Sequence, residues 1–334
     1  MATTTESIAV EPNLQATNYG DEPDSGYGDE IGSYTTSLAS NITDYKIENN
    51  RRYHAYKEGS YPYPNDEKES DRLDIMHKLT EVSLGGKLNL APVPSNPERV
   101  LDIGTGTGIW AMEMGYRPMY ASRSTTLRQS GPITRNSTTS IVALWEMPFK
   151  TGRVWSVSAL SRLPYRLFLQ RSLAASGATN KMRHTKPGGW VECIDLDLEW
   201  NSPDGSLTPD LASKHFNTTF LKASRESGME PCPGPLLEGW LKDAGFKDVA
   251  AERHVWPVGT WPADKHLKEV GAWNYLQIME GLEAFTYALF TRVLGYSQQE
   301  VDVVCAKIRK EMRNSKMHAY FYLYVAYGKK PEDK

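Results

Sequence analysis

Arg99-Val100-Leu101-Asp102-Ile103-Gly104-Thr105-Gly106-Thr107-Gly108-Ile109-Trp110 runs from an apolar, β-branched segment straight into three alternating glycines. The chain resumes as Ile109-Trp110-Ala111-Met112-Glu113-Met114, which predicts the first turns of a helix. Strand, glycine turn and helix in that order form a binding corner at the carboxyl edge of a parallel sheet. Side chains in such a turn would keep a ligand off the backbone, and positions with positive φ favour glycine. The following helix aims its free N–H groups and positive dipole end at the ligand, which suits a carboxylate or phosphate.

The spacing discriminates between ligands. A dinucleotide site spaces its glycines G-x-G-x-x-G, whereas this turn is G-x-G-x-G with Asp102 two residues before the first glycine. An acid in the last turn of the strand suits a ligand with an amino group beside its carboxylate, as at the methionine end of S-adenosylmethionine. The stretch resembles the first motif of class I S-adenosylmethionine-dependent methyltransferases. That resemblance implies an α/β, Rossmann-like fold with a mostly parallel sheet and an antiparallel last strand. It also implies S-adenosyl-L-methionine as cofactor, held by Asp102, Gly104, Thr105, Gly106 and Gly108.

The chain of 334 residues can bury one α/β domain with additions, or two domains. A net charge of −3 and a pI near 6.2 give no global attraction to nucleic acid or to an anionic membrane. Cys193, Cys232 and Cys305 are widely spaced, which suggests reduced thiols rather than a disulfide framework or a metal site. The first residues lack the basic and apolar pattern of a signal peptide. No apolar run approaches the roughly 18 residues of a membrane span. The expected location is cytoplasmic or nuclear, not secreted.

Three regions follow from composition. Residues 1–45 are polar and acidic, typified by Asp21-Glu22-Pro23-Asp24-Ser25-Gly26, and are expected to be a disordered tail. Residues 46–98 form a helical leader, in which Tyr53, Tyr56, Tyr61 and Tyr63 crowd with His54. Asn65 or Asp66 can cap a helix carrying Leu73, Ile75, Met76, Leu79 and Val82, and Gly85-Gly86 stops it. Tyr53-His54-Ala55-Tyr56, Gly59-Ser60-Tyr61, Pro64-Asn65-Asp66-Glu67 and Asp71-Arg72-Leu73-Asp74 resemble the leader of fungal LaeA-like methyltransferases. The resemblance implies that this leader lies over the cofactor pocket as a lid. It also implies a part in secondary metabolism, as regulator or as pathway enzyme. Residues 99–328 would then be the methyltransferase domain.

Inside that domain, residues 115–186 break the pattern. They hold 12 Lys and Arg against a single acid, Glu146. The family's second strand should end in an acid that grips the ribose hydroxyls, and Tyr116–Thr126 offers none. The region is expected to be irregular. Two origins fit: a basic loop for nucleic acid or an acidic partner, or translation in a shifted frame. Islands such as Arg171-Ser172-Leu173-Ala174-Ala175-Ser176, which resemble the family, favour the second origin. Without the ribose acid, with Trp145-Glu146-Met147-Pro148-Phe149 as a poor substitute, S-adenosylmethionine should bind weakly.

From His184 the family pattern returns. Lys186-Pro187-Gly188-Gly189-Trp190 reads as a helix end and turn leading into a strand, with Glu192, Asp195 and Asp197 at its carboxyl end. Helices are expected over Thr208–Ser227, Leu236–Ala244 and Gln298–Arg313, the last with Val301, Val304, Cys305 and Ile308 inward. Ala319–Tyr327 alternates as a strand. Aromatic segments between Trp256 and Tyr296 could line an acceptor pocket, or simply a core.

The resulting expectation is methyl transfer to a small-molecule or protein acceptor, with no catalytic base assigned and no metal. The sulfonium is already an activated leaving group, so the protein mainly aligns donor and acceptor. The competing expectation is a methyltransferase-fold regulator in a nuclear complex. Neither membrane nor nucleic acid is expected as a partner.

Overall fold

The computed structural model describes residues 45–53, 63–94, 100–102, 106–116, 154–159 and 185–332, and the structural statements concern these. A short hairpin, β1 (Lys46–Glu48) and β2 (Arg51–Tyr53), precedes helix α1 (Glu67–Ser83). Asp66 caps α1: its side chain accepts from the Glu69 N–H and takes a two-pronged bond from Arg51. Burial works against the Asp66 charge, but the Arg51 and Glu69 hydrogen bonds hold its carboxyl below the usual carboxylate range. The helix ends before Gly85 and Gly86, both at positive φ.

Next come β3 (Val100–Asp102), α2 (Ile109–Tyr116), β4 (Val154–Ala159) and β5 (Thr185–Asn201). They are followed by α3 (Ala212–Glu226), α4 (Leu237–Asp243), β6 (Lys247–Val258), α5 (Lys265–Leu294), α6 (Gln298–Met312) and β7 (Ala319–Lys329). Among the described residues the main sheet has the order β3-β4-β5-β7-β6. The strands β3, β4 and β5 are parallel, and β7 runs antiparallel between β5 and β6. The antiparallel last strand is therefore where the sequence placed it.

Three expectations are corrected. Residues 115–186 are not irregular throughout, because Val154–Ala159 is a parallel strand joining β3 to β5. Val154, Trp155 and Val157 are residue types that favour strands, and the polar, basic flanks hid it. Glu146, residues 145–149 and residues 171–176 lie outside the described residues, as do residues 1–44. The Lys186–Gly189 segment is not a helix end and turn but the start of β5. Gly188 N–H donates to the Lys330 carbonyl, and Lys330 N–H donates to that of Gly189. Pairing with the end of β7 thus overrides the local turn chemistry. Finally, α3 starts at Ala212 instead of Thr208. The aromatic segments after Trp256, for which the sequence carried no assignment of helix or strand, are largely one 30-residue helix, α5.

One face of the sheet carries the larger core, built from α1, α2, α3, α5 and α6 through Leu79, Trp110, Phe220, Leu282 and Ile308. Ile194 and Leu196 of β5 with Phe321, Leu323 and Val325 of β7 supply its floor. The other face packs Val191, Cys193 and Ala326 against Leu237 and Leu241 of α4. Alternation along β5 decides which residues point where. α1 and α5 cross closely at Gly281, where a Cβ would come within 2.6 Å of the Arg72 Cδ. The missing side chain makes room for an arginine stem inside the core.

Candidate cofactor and acceptor site

The glycine turn sits between β3 and α2, and its first helical bond runs from Met112 N–H to the Gly108 carbonyl. Gly106 has φ +55° and Gly108 φ +82°, both in the left-handed region. A Cβ on Gly108 would meet nothing within 4 Å, so the backbone there faces open space. Asp102, at the end of β3, is buried at 8% exposure. Ile103, Gly104 and Thr105 lie outside the described residues. Of the five residues predicted from sequence, Asp102, Gly106 and Gly108 are thus placed around one corner.

The sequence missed how firmly the leader is tied to this corner. Thr107 Oγ1 donates to Asp74 Oδ1 of α1 at 2.5 Å. His77 of α1 lies 2.8 Å from Glu113 of α2, and Trp110 Nε1 donates to the Leu88 carbonyl at 2.9 Å. A fourth tie comes from β5. Glu192 Oε2 accepts from the N–H groups of Leu90 and Ala91 at 2.7 and 2.6 Å, fixing the segment between α1 and β3.

Strand register across β4 puts Asp102 and Glu192 in one row, and in-register positions share a face. Glu192 is 1% exposed, and its Oε1 has no hydrogen-bond partner among the described residues. Burial pushes its carboxyl up to about 7, against the two N–H bonds that favour the charge. Glu192 and Asp195 are not at the carboxyl end of β5, which continues to Asn201. Asp195 and Asp197 alternate onto the opposite face, and their carboxylates accept from Leu196 N–H and Glu199 N–H. The three acids do not form one site.

Further along β5, on the Glu192 face, a cleft opens between α1, α3 and α5. Leu196, Leu198 and Trp200 form its floor, with Phe216 and Phe220 on one side and Phe285 on another. Arg72 lines it, one residue before Leu73, whose Cδ1 lies 3.5 Å from a Cβ built on Gly106. One turn of α1 therefore touches both the glycine corner and the cleft. Among the described residues, no group of three or more His, Cys, Asp or Glu could hold a metal ion, and none of the three cysteines is in a disulfide. No helix among them is long and apolar enough to cross a membrane.

No family model matches the chain. Individual proteins do. It is 36% identical over 310 residues to the methyltransferase pytC of Aspergillus terreus, covering 90% of this chain and 93% of that protein. It is 33% identical over 295 residues to the secondary metabolism regulator LAE1 of Cochliobolus heterostrophus, covering 86% and 95%. Its identity to the probable methyltransferase tdiE of Emericella nidulans is 30% over 279 residues, covering 79% and 82%. The chain belongs to the LaeA-like family of S-adenosylmethionine-dependent methyltransferases.

Within a LaeA-like methyltransferase the sheet order takes on meaning. The α/β sheet, parallel over β3, β4 and β5 and antiparallel at β7, is Rossmann-like, and the glycine turn lies at the end of β3, its edge strand among the described residues. The described corner fits S-adenosylmethionine: backbone open at Gly108, an acid at Asp102 and the amino end of α2 facing the same turn.

Proposed function

We propose that this chain transfers the methyl group of S-adenosylmethionine to an acceptor of fungal secondary metabolism, with Asp102, Gly104, Thr105, Gly106 and Gly108 holding the cofactor. The observation that carries the residue assignment is the left-handed backbone at Gly106 and Gly108, open at Gly108, beyond a buried acid. Asp102 would take the amino group of the methionine end, and the N–H groups of the turn and of α2 would take its carboxylate. The bound cofactor supplies an electrophilic methyl on a positively charged sulfur. The chain's own task is to orient the acceptor and keep water out. The leader, residues 46–98, acts as the wall and lid of that compartment, since α1 is bonded to the turn at Thr107 and to α2 at Glu113.

The test is a titration with S-adenosylhomocysteine, followed through the backbone amide signals of Gly106, Thr107 and Gly108. We expect shifts centred on this turn, even where affinity is low. No shift at millimolar ligand would overturn the assignment.

A second reading has its own support: LAE1, a secondary metabolism regulator, aligns with 86% of the chain. In that reading the same fold works inside a nuclear complex with weak or no catalysis. A product heavier by one CH₂ in extracts supplied with cofactor favours the enzyme, and stable partners co-purified from nuclei favour the regulator.

A further inference from the structure

We infer that the cleft over the outer half of β5 is the acceptor site, and that it takes a neutral, flat, apolar ring system rather than a charged peptide side chain. The word acceptor rests on the methyl-transfer reading above; the ligand class rests on the cleft alone.

Its walls are aromatic on several sides, through Tyr63, Trp200, Phe216, Phe220, Phe285 and Phe321. Flat rings bury large area against such walls and gain from offset or edge-on ring contacts.

The polar groups at its edge are engaged within the protein. Arg72 gives Nε and Nη2 to Glu69, at 2.9 and 2.6 Å, and Nη1 to Gln277 at 3.3 Å. Gln277 Nε2 donates onward to Asn274, which holds the carbonyls of Trp256 and Pro257. Asn217 accepts from Trp200 N–H and donates to the Leu198 carbonyl, bracing the strand that makes the floor. Arg72 is therefore neutralised in place by Glu69, both almost fully buried.

This arrangement disfavours either sign of charge. A carboxylate would have to compete with Glu69 for Arg72. A lysine ammonium, strongly hydrated in water, would find no acid on the walls among the described residues, and the Phe285 ring already has the Arg72 guanidinium 4.9 Å from its centre. Bringing an unpaired charge into such a site carries a large desolvation cost.

The test uses the intact chain and three probes of similar shape: 2-naphthol, 2-naphthoate and the (2-naphthyl)methylammonium ion. Affinities are read by calorimetry, and the site by methyl signals of Leu196, Leu198, Ile278 and Leu282. We expect 2-naphthol to shift these methyls and both ions to bind at least about tenfold more weakly. Leu198→Trp, which fills the cleft from its half-exposed floor, should weaken 2-naphthol about tenfold or more. Should that variant not fold, the ranking of the three probes on the unaltered chain decides. Equal or tighter binding of either ion, or 2-naphthol binding without shifts at these methyls, would overturn the inference. So would absence of 2-naphthol binding in a chain whose Gly108 amide still responds to S-adenosylhomocysteine, and that result would leave the methyl-transfer reading standing. The converse, cleft binding without that response, supports the cleft and overturns the cofactor assignment instead.

Discussion

Thr107 Oγ1 donates to Asp74 Oδ1, so the middle of the glycine turn is hydrogen-bonded to the leader helix. A turn built from glycines is the most freely disordered part of its fold, and this bond holds it from outside. Asp74→Ala removes a charge-assisted acceptor, of the kind worth about 1.5–3 kcal/mol. Affinity for S-adenosylhomocysteine should fall about tenfold, while Asp71→Ala, on the exposed side of the same helix, should leave it unchanged. Equal affinities for the two variants would show that the leader does not order the turn.

Gly106→Val tests the turn itself. At φ +55° a β-branched residue is strained by roughly 1–2 kcal/mol, and its branches would crowd Leu73. The fold, anchored by the core beneath α2, should survive by circular dichroism. Cofactor binding should be abolished in calorimetry, and unchanged affinity would refute the role given to the turn.

Glu192 sets a pH dependence whose sign follows from burial. An unfolded glutamate titrates near 4.5, and in the fold this one is pushed up to about 7. Between those values the folded chain binds more protons than the unfolded chain. Stability from this group is therefore greatest at the acid end and declines as pH rises toward 7, by up to about 3 kcal/mol. Glu192→Gln keeps an oxygen for the Leu90 and Ala91 N–H groups and cannot ionise. Thermal unfolding measured at pH 5 and pH 8 should show a larger loss for the parent than for the variant. Parallel pH profiles would mean that the carboxyl is not responsible.

How much of this was legible from residues alone varies by element. The corner at 99–114 was, because an apolar run, an acid and alternating glycines are local features that need no partner. The capping by Asp66, the stop at Gly85-Gly86 and the last strand were legible for the same reason. β4 was not, because its pairing with β3 and β5 is non-local and its flanks carry basic residues in place of turn signals. The opening of β5 was misread because Pro187-Gly188-Gly189 has turn chemistry that only the bonds to Lys330 override. The cleft was half legible: aromatic residues after Trp256 suggested a pocket, but only α5 as one long helix places Phe285 opposite Phe216. The Glu69–Arg72 pair was not legible, since a charged pair three residues apart usually lies on a solvated helix face. Gly281, on another helix, is what lets it be buried.

The ribose side gives a comparative prediction. No acid is recognisable where the second strand should end, and residues 117–153 lie outside the described residues. Loss of a bidentate ribose contact corresponds to about 1.5–3 kcal/mol, or roughly ten- to hundredfold in affinity. Measured side by side, this chain should bind S-adenosylmethionine that much more weakly than a relative that carries an acid at that position. Equal affinity would mean that this segment builds the adenosine half of the site in another way.

Arg72 and Glu69 allow a sharper experiment on stability. Their side chains are 2% and 3% exposed, and Arg72 bridges α1 to Gln277 of α5. Arg72→Met leaves a buried carboxylate without its counter-charge and should cost about 3–5 kcal/mol. Removing both charges is a different change, because the desolvation that the pair suffers on folding disappears with it. Glu69→Leu with Arg72→Met should therefore recover most of the loss, read as the urea midpoint of each variant. If the double variant is as unstable as the single one, the pair holds the helices through its hydrogen bonds to Gln277 and beyond. In that case Gln277→Leu, made in the double-variant background, should restore the midpoint by removing the amide left without its arginine.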